Sequence, residues 1–365
     1  PPQGGRHNGA SVGIDFGLWK QRLSGTIEFF TRTTSDLLYY KPTPLSSGIV
    51  TGEYPINVGS VRNTGVELTL NAVPIKTANF TWNVNLNLTH YKNKITKLDP
   101  DVAENGIKHS YYIYKEGGSV YESYMYKYAG VLSVDQAANA AATGLFTDAE
   151  AEKITALDAG KALYYMDLTD DDGNVTGQKL TTDISKATQY DCGSTLPKLI
   201  GGFGTSFNFY GFDVSAQFQF QLGGKFYDGT YQSLMHTSSQ GIGGAWHKDA
   251  LHAWSLDNQG SDIPRLTTDY AESQSAVDRY MTSSNYLSIN NVTLGYTLPK
   301  SVLATLGISN LRVYVAAENL WVFSARKGMD PRFALGVGSM VYASGAATNY
   351  YSAMRTITGG ISLTF

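Results

Sequence analysis

The residues of this chain that could bind a ligand are aromatic rings in long polar stretches of the sequence. The most prominent are three tyrosines and two tryptophans: Tyr111, Tyr112, Tyr114, Trp246 and Trp254. Aromatic faces stack on the C–H surfaces of sugars or on peptide side chains, and neighbouring Asn, Gln and Asp can hydrogen-bond hydroxyl or amide groups. We therefore predict these five residues as substrate-binding candidates. The alternative is that the rings pack the same stretches onto one another.

No arrangement of nucleophiles, acids or histidines predicts catalysis. His247 and His252 are five residues apart, which is not the helical spacing of a zinc protease. No serine lies in a G-x-S-x-G turn, and the glycines of 201–204 open a predicted strand without a following helix, so a phosphate loop is not expected. The single cysteine, Cys192, excludes an internal disulfide and a cysteine-based metal cluster. We predict no enzyme, no metal site and no cofactor.

The acidic segment Asp167–Asp172 is the remaining candidate for a cation site. If Gly173 is aligned with the glycine of an EF-type calcium loop, Leu168 falls on the first ligand position and Lys179 on the last. Neither side chain supplies the carboxylate that calcium needs there. The sequence therefore favours a solvated acidic turn over a calcium site.

Two segments show the alternation of a strand with one apolar and one polar face. The apolar residues of 80–90 and 212–222 occupy even positions. Their polar faces carry Asn83, Asn85, Asn87, Gln217, Gln219 and Gln221, which we predict to line a hydrated lumen. Each segment has about eleven residues, enough for a tilted strand to cross a bilayer. A soluble sandwich is the alternative, but its wet face usually carries Lys, Glu and Thr.

The composition also favours a membrane barrel. Only 16% of the residues are charged, whereas soluble domains average about 25%. No apolar run reaches the roughly 18 residues of a spanning helix. An open sheet would leave backbone groups unpaired in lipid, so a membrane protein of this composition must be a barrel. The net charge of −3 excludes a broadly basic nucleic-acid binder.

The links between the predicted strands alternate in length. Strands are expected at 11–18, 22–33, 62–73, 79–91, 199–210, 212–222, 285–297, 310–320 and 354–365. The long links are 34–61, 92–198, 223–284 and 321–353. Short turns on one side and long loops on the other are typical of an outer-membrane barrel, so we predict that the long loops are extracellular.

The residues at the strand ends and the number of membrane crossings lead to further predictions about the barrel. Aromatic residues flank the short turns, where an interfacial belt is expected: Trp19, Trp82, Phe209, Tyr210, Tyr296 and Phe365. The chain must cross the membrane zero or two times between 79–91 and 199–210, and we expect 111–131 to form an extracellular hairpin. Phe365 ends a strand that should pair with 310–320 and close the barrel against a strand outside this chain.

Short motifs follow one another along the chain. The first is an N-x-G-x-x-x-N-x-G-x-E segment made by Asn57, Gly59, Asn63, Gly65 and Glu67. Others lie at 91–95, 116–118, 196–202, 286–296, 318–320, 330–331 and Phe365. As an ordered set they resemble the SusC/RagA-type TonB-dependent outer-membrane transporters of Bacteroidetes. Arg332 departs from the family, which often has an acidic residue there.

The resemblance implies an all-β transmembrane antiparallel barrel of about 22 strands, of which residues 1–365 would be the C-terminal part. The plug domain, the TonB box and the earlier strands have no counterpart in this chain and would come from the missing part. The implied location is the outer membrane of a Gram-negative cell, in contact with lipid and lipopolysaccharide. The implied function is active import of nutrient oligomers, glycans or peptides. TonB would contact the missing N-terminal segment, and a SusD-like surface lipoprotein would cap the long loops.

Other functions stay open at this point. A TonB-dependent siderophore or cobalamin receptor would share the barrel, although the segment 57–67 argues against it. A passive porin normally has a charged constriction and no plug. A soluble β-rich adhesin is the third alternative, and solubility without detergent would favour it.

Overall fold

A computed structural model describes residues 4–42, 46, 48, 53–109, 111–236, 245–266, 275–303, 308–325, 331–334 and 353–365. The strands of these ranges are, in chain order, β1 (Arg6–Leu18), β2 (Leu23–Pro42), β3 (Glu53–Lys76), β4 (Phe80–Leu98), β5 (Ile107–His109), β6 (Tyr112–Tyr114), β7 (Glu122–Tyr126), β8 (Tyr128–Val131), β9 (Ala162–Thr169), β10 (Val175–Thr181), β11 (Gln189–Ser194), β12 (Leu199–Phe209), β13 (Phe212–Leu222), β14 (Lys225–Tyr227), β15 (Met281–Ser283), β16 (Tyr286–Thr297), β17 (Asn310–Ser324) and β18 (Thr356–Thr364).

The helices of the described ranges are short. They are α1 (Pro100–Ala103), α2 (Val134–Ala138), α3 (Ala140–Thr143), α4 (Asp148–Ala151), α5 (Gly229–Met235), α6 (Lys300–Leu303) and α7 (Pro331–Ala334). Single 3₁₀ turns lie at Ala156–Asp158, Ile184–Lys186, Lys248–His252 and Asp278–Tyr280. None of these helices has both the length and the apolar character needed to span a membrane.

One antiparallel sheet of nine strands dominates the fold, in the order β1-β2-β3-β4-β12-β13-β16-β17-β18. Each of its strands corresponds to one of the nine strands predicted from the sequence. β4 pairs directly with β12, so the chain does not cross the sheet between them, which is one of the two numbers of crossings, zero or two, allowed by the sequence. The tyrosine-rich segment 111–131 forms short strands outside this sheet.

Several strands run further than predicted, so the loop bounds 34–61, 92–198 and 321–353 were wrong at their ends. Backbone pairing continues to Pro42 in β2 and to Leu98 in β4. Pairing of β3 with β2 begins at Glu53. The register of β2 and β3 is irregular between Thr34 and Leu37, which interrupts the two-residue alternation there. In addition, the part of a strand that extends past the bilayer can have two polar faces. The alternation rule therefore detects the apolar part of each strand and misses its extension.

The two edges of the sheet are β1 and β18. The last strand pairs with β17, from Asn310 to Glu318, which confirms one half of the prediction for the strand that ends near Phe365. Within the described residues β1 pairs with β2 and does not pair with β18. Free strand edges are not stable in hydrocarbon, so this sheet is a portion of a larger barrel wall. A strand beyond the β18 edge stays a prediction.

One face of the sheet is apolar and exposed. The register brings Leu86, Phe203 and Phe218 to the same level on three neighbouring strands. The same face carries apolar side chains that are largely exposed across the other strands: Val12, Ile14, Phe29, Leu294, Val313, Val315, Ile357 and Ile361. A patch of this extent needs an apolar surrounding, which a bilayer provides.

The chain between these strands folds into a separate unit at the end of the sheet with the long links. We call the described residues of 99–198 and 223–285 the loop body. It contains a four-stranded sheet (β11-β7-β6-β5), a three-stranded sheet (β10-β9-β8) and the pair β14-β15. Two buried apolar clusters form its core, one around Met125 and Tyr227 and one around Leu132 and Trp254.

The loop body is attached to the polar face of the nine-stranded sheet. The amide oxygen of Asn93, in the extended end of β4, accepts hydrogen bonds from the Ser119 hydroxyl and the Val120 N–H, both at 3.0 Å. A third apolar cluster lies at this junction, where Ile95 and Leu98 pack against Val58, Val61 and Ile107. The polar face is therefore the face that the chain covers with its own loops, and the apolar face is left open.

Candidate functional site

A row of carboxamides crosses the middle of the polar face. Asn71, Asn85, Gln217 and Asn291 occupy one level on β3, β4, β13 and β16, with Gly204 of β12 between Asn85 and Gln217. The amides of Asn85 and Gln217 meet above Gly204, since a Cβ at this glycine would overlap both. The glycine therefore leaves room for two long polar side chains to converge on the sheet surface.

A shallow depression of about 320 Å³ lies one level further along the same face. Its polar lining includes Asn87, Thr89, Gln219 and Asn290, and none of its lining residues is charged. The Asn290 amide donates to Oε1 of Gln219 at 3.3 Å, which joins β16 to β13. A carboxamide side chain can both donate and accept hydrogen bonds, so these amides are suited to bind the neutral hydroxyl and amide groups of a ligand.

The six predicted lumen residues share one face, but their surroundings differ. Asn83 donates from its amide to the Ser206 hydroxyl at 3.3 Å. Gln221 is 4% exposed, and its amide donates to the carbonyl and hydroxyl of Ser284 at 3.2 and 3.0 Å. Gln221 therefore anchors the loop body to the sheet. Of the six predicted lumen residues, the five that remain as a candidate water-facing surface are Asn83, Asn85, Asn87, Gln217 and Gln219. Their role as the lining of a lumen stays a prediction.

The short-link end of the polar face holds an ion pair. Asp213 of β13 accepts two hydrogen bonds from Arg312 of β17, at 2.9 and 2.5 Å. The pair bridges across β16 at Gly295, where a Cβ would overlap both side chains. The guanidinium also lies 4.9 Å from the ring centroid of Tyr314. Charge on this part of the face is therefore neutralised within the wall.

The predicted aromatic candidates do not converge on one surface. Tyr111 packs on Tyr227 with ring centroids 4.3 Å apart, inside the first loop cluster. Tyr112 is 6% exposed, and burial raises the pKa of its phenol. Tyr114 packs against the cluster around Ile95 at the junction with the sheet. For these three residues the structure favours the alternative reading, in which the rings pack the loops.

The two tryptophans occupy opposite environments. Trp254 is 8% exposed, and its ring covers Gly160 so closely that a Cβ at the glycine would overlap the indole. Trp246 is 49% exposed. Of the five candidates, Trp246 is therefore the one whose ring is open to a ligand or a partner protein.

Two of the four long links, 92–198 and 223–284, are joined to each other within the loop body. The Arg265 N–H donates to the carbonyl of Gly160 at 2.8 Å, and the Tyr128 N–H donates to the Asp278 carboxylate at 2.8 Å. Burial raises the pKa of Asp278, although that hydrogen bond opposes the shift. Arg279 lies 4.9 Å from the ring centroid of Tyr128. These contacts make one folded unit from segments that are separated by two strands of the main sheet.

The acidic segment Asp167–Asp172 closes a turn between β9 and β10. The Asp170 carboxylate accepts hydrogen bonds from the N–H groups of Asn174 and Asp172, at 2.7 and 3.1 Å, which lower its pKa. Asp167 accepts from the hydroxyl of Tyr190. In the part of the chain that the structure describes, no three His, Cys, Asp or Glu side chains gather as a metal site would require.

Sequence reasoning missed the glycines of the polar face and the packing of the loops. Gly202 and Gly204 are two residues apart in β12 and therefore lie on the same face. Glycines with this spacing in a strand indicate that other groups approach the backbone closely there, and this could have been recognised in the sequence. The packing of Trp254 on Gly160 has no local signal, because it joins residues that are far apart in the sequence.

No protein-family model matches the sequence. Among curated proteins, the chain is 27% identical over 365 residues to TonB-dependent receptor P3 of Formosa agariphila, covering 97% of this chain and 33% of that protein. It is 24% identical to the TonB-dependent receptor SusC of Bacteroides thetaiotaomicron, covering 97% of this chain and 31% of SusC. The chain thus spans about a third of the length of these relatives.

Solved structures agree with these relatives. The RagAB peptide importer in its closed-closed state superimposes with a TM-score of 0.75 and 26% identity, covering 99% of this chain and 35% of the other. A second structure of the RagAB peptide transporter gives a TM-score of 0.73 at 26% identity. The relatives are transporters and receptors.

The resemblance to SusC-like TonB-dependent transporters that was predicted from the motifs is thereby confirmed. The same matches confirm the antiparallel barrel architecture, of which this chain covers a part, and the outer-membrane location.

Proposed function

We propose that this chain supplies part of the barrel wall and the outer loops of a transporter that actively imports nutrient oligomers, either glycans or peptides. The observation that carries the proposal is the nine-stranded sheet with an exposed apolar face and a neutral carboxamide face. Such a wall separates lipid from water and offers hydroxyl and amide groups a polar path without strong charge. RagAB is a peptide transporter, and SusC is a TonB-dependent receptor.

In this proposal, residues 1–365 belong to the barrel domain, and the loop body is extracellular. The plug, the TonB box and the remaining strands belong to other parts of the protein, and TonB energises transport through them. A SusD-like lipoprotein covers the loop body, with Trp246 among its contacts. We assign the chain no catalytic role and no cofactor.

Energised import is favoured over a passive porin by the polar face and by the loops. The row from Asn85 to Gln217 carries no charge, whereas a porin constriction is normally charged. The loops have their own buried core, which a simple pore does not need. Loops of this length with internal packing are usually functional.

Uptake by cells that express the full-length transporter tests the proposal. Cells are supplied with labelled peptide or glycan oligomers, with TonB intact or deleted, and the co-purifying surface lipoprotein is identified. We expect uptake that requires TonB and a lipoprotein that is retained through purification. Uptake that is unchanged without TonB would assign the protein to the passive porins.

A pair of glycine substitutions connects this test to the polar face. Gly204→Trp places a large ring where Asn85 and Gln217 meet, so we expect it to reduce uptake severalfold while the barrel still assembles. Gly177→Trp is the matched control, because Gly177 lies in the loop body and a Cβ there has only one neighbour, at 3.8 Å. Equal uptake by the two variants would show that the polar face is not part of the transport path.

A further inference from the structure

Aromatic rings bound the apolar face of the main sheet at both ends of its strands. At the short-link end, Trp82 of β4 stacks on Phe207 of β12 with ring centroids 5.7 Å apart. At the long-link end, Trp321 and Phe323 of β17 are 53% and 54% exposed. The register across β16 places Trp321 on the same face as Phe218. In outer-membrane barrels such rings lie at the two levels where the hydrocarbon meets the headgroups.

The apolar face becomes cationic where β3 and β4 continue toward the loop body. The even positions of β4 that carry Leu86 go on to Lys92 and Lys94. The pairing of β3 with β4 is regular over residues 84–95 of β4, except at its two ends, so these side chains stay on one face. Arg62 of β3 is the direct partner of Lys94. We call Arg62, Lys92 and Lys94 the cationic patch, and all three are exposed.

The opposite face of this stretch is turned to the loop body. Asn93 accepts hydrogen bonds from Ser119 and Val120, and Ile95 is 1% exposed within the apolar cluster at the junction. Successive side chains of a strand point to opposite faces, so Lys92 and Lys94 point away from the loop body and away from the polar face. The cationic patch therefore lies on the outside of the wall, in line with the side chains that meet lipid.

Two cations of the patch face each other without an acidic partner. Arg62 and Lys94 lie directly opposite on antiparallel strands, an arrangement of like charges that is destabilising. Among the described residues, no carboxylate lies within 4.0 Å of the patch. The Arg62 Nε–H donates to the hydroxyl of Thr33 at 3.3 Å, and the hydroxyls of Thr31 and Thr64 are 3.2 Å apart beside it. A surface of cations and hydroxyls is stabilised by an anion that binds to it.

The length of β4 puts the patch at the depth of lipid headgroups. Lys92 lies about ten residues beyond Trp82, or about 34 Å along a strand that rises ~3.4 Å per residue. A strand tilted by about 40° rises about 26 Å over that length, and the apolar band of an outer-membrane barrel is about 25 Å tall. With Trp82 at one boundary of the hydrocarbon, the patch therefore begins at the other boundary.

We propose that the cationic patch binds the phosphate on the sugar headgroup of lipopolysaccharide in the outer leaflet. Arginine can donate two parallel hydrogen bonds to a phosphate, and the lysines add charge. Their apolar stems can lie along the lipid-facing surface while the charged ends reach the headgroups. The assignment to the outer leaflet rests on the proposed extracellular position of the loop body. The binding concerns the seating of the barrel and does not depend on what is transported.

Lipid retention by the full-length transporter tests the patch. The purified protein is freed of lipid, mixed in detergent with lipid A, with lipid A whose phosphate has been removed, or with phosphatidylglycerol, and the bound lipid is counted by native mass spectrometry. We expect the wild type to retain phosphorylated lipid A in preference to the other two. The variant Arg62→Gln/Lys92→Gln/Lys94→Gln should lower that retention by about tenfold or more, since each cation near a charged surface contributes to binding.

The matched control is Lys115→Gln/Lys127→Gln/Lys248→Gln, which removes three exposed cations from the loop body at the same end of the sheet. It should retain lipid A as the wild type does. Equal loss in both triple variants, or no loss in either, would overturn the proposal. Equal retention of phosphatidylglycerol and lipid A by the wild type would also overturn it, because the patch would then bind any anionic lipid.

Two further measurements keep the test decisive if the triple variant does not assemble. The variant Arg62→Lys/Lys92→Arg/Lys94→Arg keeps all three charges and should retain lipid A within about twofold of the wild type. Raising the salt concentration from about 0.1 M to about 1 M should release lipid A from the wild type, because salt screens exposed charges. Retention that does not change with salt contradicts binding through these cations.

The orientation is tested separately, so that its failure can be told from a failure of the patch. Trp246→Cys places a thiol on the exposed surface of the loop body. A maleimide that does not cross membranes should label this variant in intact cells above the level of the wild type, whose Cys192 is the background. Absence of labelling would refute both the extracellular loop body and the outer leaflet. Labelling without a preference for lipid A would refute the lipid site alone.

Discussion

The nine-stranded sheet and the loop body place their apolar residues in opposite ways. In the sheet, Ile14, Val315 and Ile357 are 62%, 51% and 69% exposed. In the loop body, Leu132 is fully buried and Val277 is 2% exposed. The same chain is thus adapted to two different surroundings, lipid and water. Apolar side chains of the sheet are solvated by lipid, whereas those of the loops must form a core of their own because they face water.

The largest effect that would sharpen this comparison is the loss of Trp254 from the loop core. Trp254→Ala should destabilise the loop body by about 3–5 kcal/mol, the usual cost of removing a buried aromatic ring. Its indole N–H has no hydrogen-bond partner within the described residues, so the loss is one of packing. Hydrogen exchange followed by mass spectrometry should show faster exchange in 128–165 and in 245–266, with exchange in the main sheet unchanged.

Trp246→Ala is the control for this variant, because Trp246 is 49% exposed and should contribute within about 0.5 kcal/mol. If Trp254→Ala also accelerated exchange throughout the nine-stranded sheet, the loops and the sheet would form one cooperative unit. The comparison drawn above would then fail.

A charge on the apolar face is the next largest effect. Phe218 packs on Phe203 with ring centroids 4.6 Å apart. Phe218→Arg should reduce stability in lipid by about 2–4 kcal/mol if the position is near the middle of the bilayer. Denaturant titration of the protein in vesicles measures this change. The neighbouring Gln217→Arg, on the polar face, should cost much less, and equal costs at 217 and 218 would contradict the assignment of faces.

The difference between the two regions also explains what the sequence could predict. In β4 and β13 every second residue meets lipid, so the pattern is contained in eleven or so consecutive residues and needs no knowledge of distant contacts. These two strands were identified in this way, and the other seven strands of the main sheet also match ranges predicted from the sequence. The strand extensions beyond Thr34 and Tyr91 were missed, since the pattern stops where the lipid stops.

The candidate site was predictable only where it depends on the same alternation. Asn85, Asn87, Gln217 and Gln219 were identified because their parity places them on the polar face. The aromatic candidates were selected by residue type, and type alone does not separate the open Trp246 from the buried Trp254. That distinction depends on Gly160, which approaches Trp254 only in the folded chain.

The smallest expected effect concerns a charged group within the loop core. The Glu150 side chain is 7% exposed, and its carboxylate binds the Lys186 ammonium and accepts a hydrogen bond of 2.7 Å from Thr181. Burial alone would raise the pKa of Glu150, but the hydrogen bonds from Lys186 and Thr181 hold it below its ordinary value of 4.5. The folded loop body therefore favours the ionised carboxylate over the protonated one.

The sign of the pH dependence follows from this shift. A lowered pKa in the folded state stabilises the loop body above the unfolded pKa, and the stabilisation disappears as the pH falls through the folded value. We expect the contribution to be about 1 kcal/mol, because Lys186 is partly exposed and solvent weakens the pair. Hydrogen exchange in the loop body, corrected for the intrinsic rate, should show less protection near pH 4 than near pH 7.

Glu150→Gln should be less stable than the wild type at neutral pH and should lose that part of the acid sensitivity, whereas Glu152→Gln, at an exposed position, should retain it. If the Glu150→Gln protein kept the full dependence on pH, the acid sensitivity would arise elsewhere in the loops. Protection of the amides in the main sheet should not change over the same range, because Glu150 lies in the loop body. A parallel loss in the sheet would show that the two regions share their stability after all.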